Sequence, residues 1–158
     1  ILHDEITYKE LIKEEELLRK RIETMEAEGK KRELEKTLND AMQKRKSVEG
    51  ELEKLGSEKM RIVDMLSSLG QKEAGIESRT GKLGELEAGA KSAGELKRLA
   101  EERYQLEKER HETERARWQA EDDIALLESQ YQGVAQRLAE AEARQVEVER
   151  KIRDLGLS

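Results

Sequence analysis

Apolar side chains recur every seven residues along two stretches of this chain. In the first stretch, one series of positions, called d, is apolar throughout: Leu34, Ala41, Val48, Leu55, Ile62, Leu69, Ile76, Leu83 and Ala90. The second stretch has its own d series: Leu99, Leu106, Thr113, Ala120, Leu127, Val134, Ala141, Val148 and Leu155. A seven-residue repeat sustained over this length is typical of α-helices in a coiled coil.

The companion positions of the repeat, called a, mix leucine with charge. They read Leu38, Arg45, Leu52, Lys59, Leu66, Glu73, Thr80 and Glu87, and then Leu96, Arg103, Arg110, Arg117, Ile124, Tyr131, Leu138, Gln145 and Ile152. The pattern therefore predicts an uneven seam with its best-packed block at Leu52, Leu55, Ile62, Ile124, Leu127, Tyr131, Val134 and Leu138. Tyr131 is predicted to be a core residue.

The two stretches come into register when the chain is folded back on itself. In an antiparallel pair an a residue shares a layer with a d residue, and folding about Ala93 places Ile62 with Ile124 and Val48 with Leu138. The fold point lies in EAGAKSAGEL, residues 87–96, which is poor in packing side chains. The sequence therefore predicts an all-α fold, a long antiparallel coiled-coil helical hairpin that turns near residues 89–95.

Local chemistry at the fold point agrees with a turn. Gly89 is suited to a left-handed cap at the end of the first helix. Ser92 and Glu95 have the S-x-x-E spacing of a capping box at the start of the second. The hairpin is predicted to span residues 29–158, with one arm at 29–88 and the other at 96–158.

Residues 1–28 form an N-terminal helical extension that is predicted to be unpaired within the chain. Leu11, Leu18, Ile22 and Met25 form an apolar stripe there that is out of step with Leu34, and Gly29 is expected to bend or slip the helix between them. An exposed apolar stripe is expected to pack against another segment or another chain, and two candidates remain open. One is further sequence after Ser158, and the other is a second copy in a homodimer through residues 1–28.

The composition of the chain limits the classes of function that fit it. The chain has 158 residues, 43% of them charged, a net charge of −6 and no Cys, Phe or Pro. The acidic balance makes nucleic-acid binding less favoured than protein binding, although a local basic face remains compatible with it. No apolar run is long enough to span a membrane, and the absence of Cys fits a reducing compartment, so we expect a cytoplasmic protein without membrane contact.

The motifs that resemble catalytic or binding sites are incomplete. GIESRTGKL, residues 75–83, departs from the phosphate-binding loop, because five residues separate its glycines and Leu83 follows the lysine. HETER, residues 111–115, has Arg115 where a zinc helix needs its second His. We therefore expect no enzymatic activity and no catalytic, cofactor-binding or metal-ligating residue in this chain.

The second arm near the turn offers the most distinctive surface chemistry. Aromatic and Arg side chains dominate protein-binding hot spots, and both types cluster here. The predicted partner-binding residues are Arg103, Tyr104, Arg110, Arg115 and Trp118. The alternatives are a solvated helix face for the charges and packing over the seam edge for the aromatic rings.

Two segments resemble a known family. GAKSAGELKRLAEERYQLEKER, residues 89–110, resembles the turn and returning helix of the bacterial C4-type zinc-ribbon domain proteins, and GELKRL, residues 94–99, matches the opening of that helix. LIKEEELLRKRIETMEAEGKKRELEKTL, residues 11–38, is similar to the family's first helix, although it lacks the family's Pro at the break. The resemblance implies a bacterial, cytoplasmic adaptor or chaperone-like protein, with zinc only if a four-Cys ribbon follows Ser158.

Three functions stay open at this level. The first is a non-enzymatic coiled-coil protein-interaction module, of adaptor or chaperone-like type, that binds partner proteins through its tip and exposed faces. The second is a structural coiled-coil arm of a chromosome-maintenance or repair ATPase, which a tight turn near mid-chain disfavours. The third is a nucleic-acid-binding protein that uses the Arg-rich second arm.

Overall fold

The computed structural model describes the backbone of residues 2–157 and the side chains of residues 4–156. Within that range it contains two α-helices and no strand: α1 at Leu2–Ala88 and α2 at Ala93–Leu157. The two helices pack against each other as a helical hairpin, so the predicted all-α fold class is confirmed. The connection occupies residues 89–92, inside the predicted turn, and α2 begins three residues before the predicted second arm.

The seam between the helices follows the predicted register. Every fully buried residue in the described range is at a d position: Ala41, Val48, Ile62, Ile76, Leu83, Leu99, Leu106, Thr113, Ala120, Ala141 and Val148. The a residues are half-buried or exposed, the leucines and isoleucines among them included, and eight of the seventeen carry long charged or amide side chains. The seven-residue spacing therefore identified the inward face of both helices.

The chain divides into two compact units. The first consists of Ile1–Gly50 with Gln136–Ser158, where Val48 and Val148 are among the buried residues. The second consists of Glu51–Ala135 and contains the turn. Four ion pairs join α1 to α2 within this second unit: Lys59–Glu128 at 3.2 Å, Glu73–Arg117 at 3.3 Å, Arg79–Glu109 at 2.9 Å and Glu87–Arg103 at 2.8 Å.

The predicted best-packed block was wrong. Of its members only Ile62 is fully buried, and Tyr131, predicted to be core, is 40% exposed. The contiguous buried cluster instead lies beside the turn and consists of Leu83, Leu99 and Leu106, with Ala90 packed against it. Arg103 does not leave this region open, because it reaches across the seam to Glu87 at 2.8 Å.

The turn uses one of its two predicted caps. The backbone N–H of Glu95 donates to Ser92 Oγ at 3.1 Å, and Glu95 Oε2 accepts from the N–H of Lys91 at 3.3 Å, so Ser92 and Glu95 do cap α2. The left-handed cap at Gly89 was wrong, because no described residue has a positive φ. Gly89 instead continues the helical pattern, with its N–H donating to the carbonyl of Glu85 at 3.2 Å.

The N-terminal part of α1 continues as helix through Gly29, so the expected break at that residue is not seen. All side chains described from residue 4 to residue 33 are exposed. The side chains of residues 1–3, which belong to the predicted extension, lie outside the described residues. Neither α1 nor α2, as far as the structure describes them, has a stretch apolar and long enough to cross a membrane.

Candidate protein-interaction surface

A groove of about 880 Å³ runs between α1 and α2 close to the turn, and we call it the tip groove. It lies wholly within the unit that contains the turn. Its lining comes from both helices: Arg79, Lys82, Leu83 and Leu86 of α1, and Lys97, Arg98, Ala100, Glu101, Glu102, Tyr104, Gln105, Leu106 and Glu109 of α2.

The groove has an apolar floor and two exposed apolar side chains above it. Leu83 and Leu106 are buried d residues whose outer edges form the floor. Leu86 is 60% exposed and Tyr104 is 68% exposed. Leu86 lies one residue before an a position and Tyr104 one residue after, so both flank the seam and neither is drawn into it. They are placed to contact another molecule.

The charges in the groove are mixed. Arg79 is paired with Glu109 across the hairpin at 2.9 Å. Lys82, Lys97 and Arg98 make no ion pair with the described residues, and Lys97 and Arg98 lie at the turn end of the groove. Glu101 and Glu102 lie on the α2 wall. The surface therefore offers cations near the turn and carboxylates on the wall, in contrast to a uniformly basic face.

Of the five residues predicted to bind a partner, only Tyr104 lines the groove. Arg103 points to the seam, where Nε and Nη2 donate to the two carboxylate oxygens of Glu87 at 2.8 and 3.0 Å. Arg110 pairs within its own helix with Glu107 at 3.0 Å and lies 4.0 Å from Glu114. Both guanidinium groups are thus already engaged inside the chain.

Trp118 and Arg115 lie farther along α2. Trp118 is 55% exposed and follows Tyr104 by two seven-residue repeats, which places both rings on one side of α2 about 21 Å apart. Arg115 is exposed, and its guanidinium forms none of the ion pairs found among the described residues. The structure does not bring these two residues together with the tip groove.

Sequence reasoning missed Leu86 and the cations Lys82, Lys97 and Arg98. The available signal was Leu86 itself, which is a leucine outside the a and d series between Glu85 and Glu87. Such a leucine gains nothing from the seam and remains exposed. The cations could not be singled out, because lysine and arginine occur on every exposed face of the chain.

The Arg103–Glu87 pair gives the turn region a dependence on pH. The hydrogen bonds from Arg103 are the main reason that the pKa of Glu87 is lowered from its ordinary value of 4.5. Because the pKa is lower in the folded state, the pair stabilises the fold fully above that ordinary value, and the contribution is lost as pH falls through the folded-state pKa.

We expect Arg103→Gln to lower the urea midpoint at neutral pH, and the difference from the parent chain to vanish in acid. Arg110→Gln is the matched control, because Arg110 pairs only within α2, and it should show a smaller loss at neutral pH. Midpoints come from far-ultraviolet circular dichroism across a pH series. An Arg103 effect that persists unchanged in acid contradicts the assignment to Glu87.

No group of three or more His, Asp or Glu residues in the described range is arranged to hold a metal ion. Comparisons of the chain with models of protein families, with curated proteins and with solved structures find no match. The geometry of the tip groove and of the exposed helix faces is therefore the basis for a functional argument.

Proposed function

We propose that this protein is a non-enzymatic coiled-coil interaction module that binds a partner protein in the tip groove. The observation that carries the proposal is the pair of exposed side chains Leu86 and Tyr104 above an apolar floor, one on each helix. A tyrosine offers a large rigid contact area at low entropic cost, and the groove concentrates such contacts in one place.

The partner segment that fits best is an amphipathic helix. Its apolar face would lie on Leu86 and Tyr104, as in helix-in-groove recognition. Carboxylates of the segment would lie near Lys97 and Arg98 at the turn end and near Lys82 farther along the groove, since these cations have no ion pair among the described residues. Charge of this kind sets orientation and the association rate more than it sets affinity.

Binding to nucleic acid has less support. A phosphate backbone is attracted by cations that remain available, but Arg103 and Arg117 face carboxylates across the seam and Arg110 is flanked by two glutamates of its own helix. Glu101 and Glu102 also lie within the tip groove. The ATPase-arm alternative has less support as well, because only residues 89–92 separate the helices and leave little chain for a hinge.

The resemblance to bacterial zinc-ribbon proteins fits an adaptor or chaperone-like role and stays a prediction, as does a cytoplasmic location. The candidates Arg115 and Trp118 lie on the exposed side of α2, and we propose them, with Arg110 at the edge of the seam, as an accessory contact.

The test compares partner capture by groove variants. We expect Leu86→Ala combined with Tyr104→Ala to abolish capture of specific proteins from a lysate of the source cells and to leave helicity intact, because both side chains are exposed. A photoreactive amino acid at position 104 should cross-link the same proteins. Capture should survive nuclease treatment of the lysate.

The matched control is Met60→Ala combined with Leu126→Ala. These side chains are 67% and 59% exposed, belong to the same unit and lie outside the groove. This control should capture as the parent chain does. Equal capture by the parent, the groove variant and the control would refute the tip groove as the binding surface. A variant with Arg110 and Arg115 reversed to Glu and Trp118→Ala then tests the accessory contact.

A further inference from the structure

The N-terminal part of α1 carries an apolar stripe that the described chain does not cover. Its members are 54–70% exposed: Tyr8, Leu11, Leu18, Ile22 and Met25. They follow one another at spacings of three, seven, four and three residues, so they lie on one face of the helix. Glu15 occupies the same face between Leu11 and Leu18 and is the charged member of the stripe.

The stripe faces away from α2. The d positions that meet α2 from Leu34 onward continue toward the N-terminus as Ala27, Lys20, Lys13 and Ile6. The stripe positions Met25, Leu18 and Leu11 lie two residues before them, which is about 200° around a helix of 3.6 residues per turn. The side of α1 that continues the α2 contact therefore carries Lys13 and Lys20, whereas the apolar side is nearly opposite. Because α2 does not occupy this face, another helix can pack on the stripe.

Two copies of the stripe match each other's apolar positions when their helices run in opposite directions. We propose that a second copy of this chain covers it in an antiparallel, two-fold symmetric pairing centred between Glu16 and Leu17. In this pairing Tyr8 shares a layer with Met25 of the partner subunit, and Leu11 shares one with Ile22 of the partner subunit. Each layer occurs twice by symmetry, so Tyr8, Leu11, Ile22 and Met25 each meet an apolar side chain of the other copy.

The charge of Glu15 decides between antiparallel and parallel pairing. In the antiparallel pairing Glu15 lies beside Leu18 of the partner subunit, and its carboxylate stays bound to Arg19 of its own helix, 2.9 Å away. A parallel pairing places Glu15 directly beside the partner's Glu15 inside the seam, where the two carboxylates repel each other.

The exposed charges beside the stripe favour the antiparallel pairing only in part, and they contribute less than the placement of Glu15. The antiparallel pairing places Glu14 opposite Arg21 of the partner subunit, twice, and Glu5 opposite Glu26 of the partner subunit at the rim. The parallel pairing would place Glu14 near Arg19 and Arg21 near Glu26 of the partner. Exposed pairs of either sign are weakened by water and salt, so the buried layer of Glu15 outweighs them.

The first test is the mass of the full chain by sedimentation equilibrium from micromolar to millimolar concentration. We expect a monomer–dimer equilibrium, and we expect Leu18→Glu to weaken it at least about tenfold, because each new carboxylate faces Glu15 of the other chain. Leu17→Glu is the matched control. Leu17 is 60% exposed, similar to Leu18 at 57%, but lies outside the stripe, so it should leave the equilibrium unchanged. A monomer at all concentrations, or equal effects of the two variants, overturns the proposal.

The second test measures direction. Glu14→Arg and Arg21→Glu should each weaken the dimer several-fold, and combining them should restore it, because the reversed charges face each other again in the antiparallel pairing. In a parallel dimer the combined variant is weaker than either single one. Spin labels on Cys introduced at Glu14, at the rim of the stripe, should be close between the two chains, and labels at Glu26, also at the rim, should be separated by roughly 30 Å along the axis. Short distances at both positions indicate parallel chains and overturn the proposal.

Discussion

Replacing Ile76 or Leu83 by alanine is expected to lower the free energy of unfolding by about 2–4 kcal/mol, the usual loss when a buried aliphatic side chain is truncated. Ile76 is 1% exposed and Leu83 is 3% exposed. Leu83 belongs to the contiguous cluster with Leu99 and Leu106, so its removal leaves a cavity bounded by both helices. Alanine is a better helix former than either residue, which offsets a few tenths of a kcal/mol of the loss.

Urea unfolding followed by circular dichroism measures this effect, with Leu86→Ala as the matched control. Leu86 lies three residues from Leu83 on the same helix but is 60% exposed, so its truncation should change stability by less than about 0.5 kcal/mol. Leu55→Ala, at a half-buried d position, should lose about 1–2 kcal/mol. A larger loss from Leu55→Ala than from Leu83→Ala would place the stable centre where the seven-residue pattern alone predicts it.

The hairpin itself could be predicted from the sequence because two independent series had to agree. The d series from Leu34 and the d series from Leu99 share one fold point, and only an antiparallel turn near Ala93 satisfies both. The capping pair of Ser92 and Glu95 marks the same place by local chemistry. Fold class and turn therefore rest on long, strongly periodic segments, which are the most dependable signals in a sequence.

The distribution of burial along the seam could not be predicted in the same way. A seven-residue pattern states which face points inward, but not how each layer is closed. Arg103 is one of the charged a positions of the uneven seam, yet its bond to Glu87 brings the side chain across the seam. Tyr131 is predicted to be core, yet it is 40% exposed.

The candidate surface was predicted less well than the fold, for a related reason. A groove is formed by side chains of two helices at once, and its position depends on which of them leave the seam. Tyr104 was found because an aromatic residue is rare in this chain, of which only 3% is aromatic. Leu86 contributes as much to the tip groove but resembles many other leucines until its exposure is known.

The ion pair between Glu73 and Arg117 joins neighbouring layers of the seam without satisfying all its atoms. Arg117 Nη1 donates to Glu73 Oε2 at 3.3 Å. Glu73 Oε1 and Arg117 Nε are buried and have no hydrogen-bond partner in the protein. Leaving such atoms unpaired costs about 1–3 kcal/mol each when they are truly dry. Replacing both residues by leucine removes that cost and adds apolar contact with neighbours such as Ile76.

We therefore expect Glu73→Leu combined with Arg117→Leu to raise the free energy of unfolding by about 1–3 kcal/mol, as replacement of a poorly satisfied ion pair often does. Arg117→Leu alone should lower it by about 1 kcal/mol, because Glu73 then stays in the seam without its cation. Glu73→Leu alone should lower the free energy of unfolding by less, since Arg117 still lies 3.9 Å from Glu121.

Urea midpoints of the parent chain, the two single variants and the combined variant complete a double-mutant cycle that measures the coupling between Glu73 and Arg117. A combined variant less stable than the parent would mean that the ion pair itself holds the helices together. A more stable one would mean that the unpaired buried atoms of Glu73 and Arg117 cost more than their ion pair contributes.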